Sequence, residues 1–119
     1  MRDLEGRGTV VMIGGDLMAR ARVEEAAQAA GLRLVRLALE DLDALERPPQ
    51  ADVVVLDLDD GGRDLIDRWA ALAGEGAPPT IGYFSHVDVA LGEHAAARGI
   101  EALPRGRFWR TLGETLARS

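Results

Sequence analysis

One stretch decides the fold, Asp52-Val53-Val54-Val55-Leu56-Asp57, in which four aliphatic residues stand between two acids. A continuous apolar run of this length is typical of a strand buried on both faces, as in a parallel sheet. The acid at its end, Asp57, would lie at the carboxyl edge of that sheet, where open α/β folds place their binding sites. The following residues, 59–62, are two aspartates and two glycines, which predict a loop.

Similar short apolar runs lie on both sides of this strand and predict four more strands: 9–13, 32–37, 80–84 and 100–103. Apolar residues at helical spacing separate the runs. They predict a first helix capped by Asp16 and closed by Gly31, a short helix over 40–46, a third around Trp69, a fourth opened by Ser85 and a last one marked by Phe108. The order βαβαβαβαβα predicts a flavodoxin-like α/β fold: a five-stranded parallel sheet of order 2-1-3-4-5 between two helical layers.

Length and composition limit the functions that remain open. The chain has 119 residues, enough for one domain, whose core we expect over about residues 8–118. It has no cysteine, which excludes thiolate metal sites, and a net charge of −6 with scattered arginines, which disfavours nucleic-acid binding. All 14 basic residues are arginine, so no lysine is present for a Schiff base or a phosphate loop.

Two observations bear on location. No apolar run approaches the roughly 20 residues of a membrane span, and the N-terminal residues 1–5 lack the apolar stretch of a secretory signal. We expect a cytoplasmic protein that does not contact membranes.

The element order, and Asp57 at the end of a hydrophobic third strand, resemble the receiver domains of CheY-type response regulators over about residues 8–118. The resemblance implies that Asp57 is the phosphoacceptor and that a histidine kinase supplies the phosphoryl group. It also implies an acidic pair after strand 1 that holds Mg²⁺, a Ser or Thr after strand 4 and a lysine near the end of strand 5.

The sequence departs from the receiver pattern at several of these positions. Gly14-Gly15 stands where the acidic pair is expected, with Asp16 one residue late, so Asp16, Asp57 and Asp59 would form at most a weak Mg²⁺ site. Ser85 stands at the Ser/Thr place, and Arg105 is the nearest substitute for the lysine that would sense the phosphoryl group. The chain therefore resembles a degenerate, pseudo-receiver domain.

Each of these residues also has a structural interpretation. Asp57 would cap the element that follows its strand, Asp16 and Ser85 would be helix N-caps, and Asp59 would be a turn residue. Gly14-Gly15 would permit a tight turn. The sequence leaves both interpretations open.

Three functions follow in order of preference. The first is a non-enzymatic signalling module that acts by contact with a protein partner or by self-association, with Arg107, Phe108 and Trp109 as interface candidates, because Trp and Arg are enriched where binding energy concentrates. Its contact surface would be the face made by the fourth helix, the fifth strand and the fifth helix.

The second function is that of a Mg²⁺-dependent phosphoacceptor that uses Asp57. The third is a small nucleotide-binding or hydrolytic enzyme, for which the sequence has no nucleophile with its base and no phosphate loop.

Overall fold

The computed structural model describes residues 8–118, so the N-terminal residues 1–5 used above lie outside the described part. Within that part, strands and helices alternate in this order: β1 (Thr9–Ile13), α1 (Leu17–Ala29), β2 (Arg33–Leu37), a 3₁₀ helix (Leu39–Ala44), β3 (Val53–Asp57), α2 (Leu58–Ala73), a 3₁₀ turn (Gly74–Gly76), β4 (Thr80–Phe84), α3 (Val89–Ala96), β5 (Glu101–Pro104) and α4 (Arg105–Ala117).

The five strands form one sheet of order β2-β1-β3-β4-β5, and every pair is parallel. This confirms the predicted flavodoxin-like topology. The register sets Val11 beside Val54 and Asp57 beside Tyr83. All carboxyl ends of the strands therefore meet at one edge of the sheet, and the loops that follow them form a common surface.

Two apolar layers cover the sheet, because successive side chains of a strand point to opposite faces. On one face, α1 and α4 pack through Val23, Phe108 and Leu112 against β1, β3 and β4. On the other, α2 and α3 pack through residues such as Trp69 and Leu91. The three central strands are buried along their whole length, whereas the edge strands β2 and β5 are partly exposed. No helix in residues 8–118 is long and apolar enough to cross a membrane.

The helix after β2 differs from its prediction. It is a 3₁₀ helix over Leu39–Ala44 rather than a helix over 40–46. So few residues before Pro48 make α-helix propagation unfavourable, and short helical segments commonly adopt the 3₁₀ form.

The start of α3 was also predicted wrongly. Ser85 does not cap α3: its N–H donates to Asp59 Oδ1 and its carbonyl accepts from Asp88 N–H, so it begins a turn. The N-cap is Asp88, which accepts from Leu91 N–H at 3.2 Å. The last helix begins at Arg105, directly after Pro104 and three residues before Phe108, the residue that marks it in the sequence.

Candidate functional site

Asp57 is the last residue of β3 and lies at the centre of the carboxyl edge of the sheet. Its side chain is almost buried, with the residue 6% exposed. Both carboxylate oxygens have partners: Oδ1 accepts from Asp60 N–H at 3.0 Å, and Oδ2 accepts from the Tyr83 hydroxyl at 2.8 Å. Burial raises the pKa of this carboxyl, and the two hydrogen bonds partly oppose that rise.

The first partner shows that Asp57 is a helix cap. The helix α2 begins at Leu58, so the loop predicted over 59–62 is instead a helical turn with Asp57 as its N-cap. Gly62 breaks this helix with a φ of 59° and a ψ of −150°, a conformation that favours glycine. The structural interpretation of Asp57 as a cap is therefore confirmed, and this role engages one of its oxygens.

The second partner, Tyr83, was not found from the sequence. It is fully buried on β4, directly beside Asp57 in the parallel register. Burial and the neighbouring charge of Asp57 raise the pKa of Tyr83 well above its usual range, so the phenol keeps its proton and donates a hydrogen bond to the carboxylate. The available signal was the register, since β3 and β4 end at the same edge and a tyrosine in a buried strand needs a hydrogen-bond partner.

The Gly14-Gly15 turn lies beside the same carboxylates. Both glycines have positive φ, 80° and 93°. A Cβ at Gly14 would lie 3.0 Å from Asp60 Oδ2, and a Cβ at Gly15 would lie 2.7 Å from Met12 Cε and 3.7 Å from Asp57 Oδ2. Asp60 itself accepts from Gly15 N–H at 2.9 Å. The turn thus needs glycine, as the structural interpretation predicted, and the Asp60 carboxylate lies over it.

Asp59 and Arg105 form a separate pair at the rim of the site. Arg105 Nη1 lies 3.3 Å from Asp59 Oδ2, and Asp59 Oδ1 accepts from Ser85 N–H at 2.9 Å. The guanidinium carbon of Arg105 lies 5.6 Å from the centre of the Tyr83 ring. Three candidate residues from three loops are therefore brought together, but Arg105 pairs with Asp59 and not with Asp57.

Asp16 has the role of a cap. Its side chain accepts from Ala19 N–H at 2.8 Å as the N-cap of α1, as the sequence predicted. Among the side chains that the structure describes, no three acidic or histidine residues are grouped so that they could hold a metal ion. The Mg²⁺ that the receiver resemblance implies does not fit these donors, because Asp16, Asp57 and Asp59 each bind different groups of the same chain.

The interface candidates lie in three different environments. Phe108 is 1% exposed and packs in the core, so it cannot contact a partner, which corrects the prediction. Trp109 is partly buried against Tyr83 and Phe108, and the Arg22 guanidinium of α1 covers its ring at 4.1 Å. The predicted contact face, made by the fourth and fifth predicted helices and the fifth strand, corresponds to α3, β5 and α4 and is called the α3–β5–α4 face. Trp109 faces α1 and not this face. Arg107 is exposed. Because it precedes Trp109 by two residues on α4, it projects from the flank of that helix opposite to Trp109.

Known structures with this architecture include response-regulator receivers. The chemotaxis response regulator CheY4 of Vibrio cholerae aligns with a TM-score of 0.67 at 18% identity, over 92% of this chain and 96% of that one. The beryllofluoride-activated NtrC receiver domain aligns with a TM-score of 0.58 at 28% identity, over 82% of each chain. This chain has the receiver fold.

The receiver fold also occurs outside response regulators. The pilus assembly protein CpaE from Caulobacter crescentus aligns with a TM-score of 0.58 at 20% identity, over 90% of this chain and 98% of that one. No protein-family model matches the sequence, and a search of curated proteins gave no match.

Proposed function

We propose that this receiver-fold chain is a cytoplasmic signalling module that acts through protein–protein contact and does not carry out the normal phosphoryl transfer. The observation that carries the proposal is the environment of Asp57. Its two carboxylate oxygens accept hydrogen bonds from Asp60 N–H and from the Tyr83 hydroxyl, and the residue is 6% exposed, an arrangement that we call the closed state of Asp57. Attack on a phosphoryl donor requires a free, accessible carboxylate oxygen.

The surrounding charges support the same conclusion. Transfer to a carboxylate concentrates negative charge, which a divalent cation and a nearby cationic side chain must neutralise. Here Gly14-Gly15 provides no carboxylate, and Arg105, the candidate cation, is paired with Asp59. A phosphoryl group on Asp57 would also have to displace the Tyr83 hydroxyl from Oδ2 or the Asp60 N–H from Oδ1.

The contact surface that we favour is the α3–β5–α4 face. The edge strand β5 is partly exposed, and among residues 8–118 it bonds to one neighbouring strand, β4. Arg107 lies exposed on the flank of α4 away from Trp109. An open strand edge with an exposed arginine beside it suits a second copy of the chain or a protein partner. One known structure with this fold is that of a pilus assembly protein, and the assembly of proteins depends on contacts between them.

The test compares wild type with Arg107→Glu and with Arg36→Glu, a matched charge reversal on the opposite edge strand β2. Sedimentation velocity at several concentrations measures self-association, and affinity capture measures partner binding, each with and without acetyl phosphate and Mg²⁺. We expect association that Arg107→Glu weakens, that Arg36→Glu leaves unchanged and that the phosphoryl donor does not alter.

Two results would favour the alternatives. Association that appears only with the donor, and is lost in Asp57→Asn, would favour a Mg²⁺-dependent phosphoacceptor, for which a histidine kinase would be the expected upstream donor. Saturable stabilisation by a nucleotide or a flavin in a thermal-shift screen would instead favour a nucleotide-binding role.

A further inference from the structure

Asp59 lies in the first turn of α2, and the core holds that turn in place. Its neighbour Leu58 is fully buried and packs so closely on β4 that a Cβ at Gly82 would lie 2.9 Å from Leu58 Cδ1. Gly62 then separates the turn from the rest of α2. The position of the Asp59 carboxylate is therefore set by the core, and the groups that bind this carboxylate are positioned relative to it.

A series of hydrogen bonds runs from Asp59 to the start of α3. Asp59 Oδ1 accepts from Ser85 N–H at 2.9 Å, and the Ser85 carbonyl accepts from Asp88 N–H at 2.8 Å. Asp88 is in turn the N-cap of α3 and accepts from Leu91 N–H. Because residues 86–90 are all exposed, apolar packing contributes little to the position of this segment. The Asp59 carboxylate thus fastens the segment that leads into α3.

The other oxygen of Asp59 contacts the start of α4. Oδ2 lies 3.3 Å from Nη1 of Arg105, which is the first residue of that helix. The first turn of α4 contains no acidic residue, and its N-cap Pro104 provides no side-chain hydrogen bond. An arginine is unfavourable at a helix N-terminus, where the macrodipole is positive, and a nearby carboxylate offsets this effect. Asp59 is the carboxylate that does so here.

We propose that Asp59 is a built-in anion that holds the starts of α3 and α4 in one arrangement and so shapes the α3–β5–α4 face. The two helices cover opposite faces of the sheet, and Asp59 contacts the leading segment of each. The inference rests on the proposed function, in which this face binds a partner. It adds that the negative charge that positions the face comes from Asp59 and not from a phosphoryl group on Asp57.

Amide hydrogen exchange, measured for each residue by NMR, tests the arrangement without any partner. Asp59→Ala removes both contacts, whereas Asp59→Asn keeps an acceptor for Ser85 N–H. The matched control is Asp64→Ala, because Asp64 is also an acid of α2 and pairs with Arg68 at 3.2 Å. We expect Asp59→Ala to speed exchange at Ser85 and Asp88 by about tenfold or more, since a hydrogen bond to a charged group is lost. The effect of Asp59→Asn should be smaller, and Asp64→Ala should have none.

Sedimentation velocity of the same variants tests the contact face. Association that Arg107→Glu weakens should also be weakened by Asp59→Ala, by about threefold or more, and not by Asp64→Ala. A wild-type chain that neither associates nor captures a partner, with exchange accelerated in Asp59→Ala as expected, would contradict the proposed function and still support this role of Asp59. The inference would be overturned by unchanged exchange at Ser85 and Asp88 in Asp59→Ala. It would also be overturned by association that Arg107→Glu weakens and Asp59→Ala leaves intact.

Discussion

The Tyr83 hydroxyl donates to Asp57 Oδ2 at 2.8 Å from the neighbouring position on the adjacent strand β4. This bond joins a fully buried phenol to a carboxylate whose pKa is raised by burial. Because a buried charged acceptor needs its donors, the bond stabilises the closed form of the site.

Removing the hydroxyl should therefore destabilise the protein. We expect Tyr83→Phe to lower the free energy of unfolding by about 2 kcal/mol, since a hydrogen bond to a charged group contributes about 1.5–3 kcal/mol. Urea denaturation measures the change. The control is a double-mutant cycle with Asp57→Ala: the two changes should couple by about 1 kcal/mol or more, and strictly additive effects would contradict the bond.

The raised pKa of Asp57 predicts a specific pH dependence. The folded protein binds this proton more tightly than the unfolded chain, whose aspartate titrates near the ordinary value of 3.8. The contribution of Asp57 to the free energy of unfolding is therefore fully present below about pH 3.8, and it is lost as pH rises through the folded-state pKa. Asp57→Asn does not titrate and still caps α2.

The measurement is the difference in unfolding free energy between Asp57→Asn and wild type across the acid range. It should grow in favour of Asp57→Asn as pH rises and then become constant. Asp57→Ala, which loses the cap and leaves the Tyr83 hydroxyl unpaired, should be less stable by about 2 kcal/mol at neutral pH. A difference that shrinks with rising pH would show that the folded-state pKa is lowered instead.

The Gly14-Gly15 turn should not accept a side chain. Gly15→Ala has two costs, the strained φ of 93° and a contact of 2.7 Å with Met12 Cε. We expect a loss of roughly 2–3 kcal/mol. Gly31→Ala is the matched control, because its φ is 78° and no atom lies within 4 Å of the added Cβ. Thermal unfolding should show the larger loss for Gly15→Ala; equal losses would mean that Met12 moves away at no cost.

Trp109 links α4 to α1 through its stack with Arg22. Trp109→Ala should lower the free energy of unfolding by about 3 kcal/mol, and Arg22→Gln by about 0.5–1 kcal/mol. Chemical denaturation measures both changes in unfolding free energy, and sedimentation velocity tests whether Trp109 contributes to self-association. The monomer–dimer distribution should be the same in wild type and Trp109→Ala under conditions where both are folded. A dimer lost only in Trp109→Ala would restore it as an interface residue.

The sheet could be predicted from the sequence because its central strands are buried on both faces, and burial of that kind requires the continuous apolar runs that the sequence shows. Val53–Leu56 has the apolar side chains on both faces that a central strand requires, and five alternating strands and helices fit the flavodoxin-like strand order. The Asp57–Tyr83 bond was missed because it depends on which residues become neighbours across two strands, which periodicity does not reveal. The start of α3 was missed because Ser85 and Asp88 both have capping side chains, and the contact of Ser85 with Asp59 decides between them.

The location of Trp109 required tertiary geometry as well. An aromatic residue next to arginines has the composition of an interface, but it also has the composition of a cation–π contact within the chain. Only the packing of α1 against α4 distinguishes the two, since it places Arg22 over the indole ring.

The most direct test of the central claim is intact mass spectrometry after incubation with acetyl phosphate and Mg²⁺, with a phosphorylatable receiver domain treated in parallel. Asp57 is closed by Tyr83 and Asp60, Gly14-Gly15 stands in place of the acidic pair, and Arg105 is paired with Asp59. Wild type should therefore keep its unmodified mass while the reference receiver gains one phosphoryl group. A wild-type chain that gains one phosphoryl group, with the gain abolished in Asp57→Asn, would contradict the account.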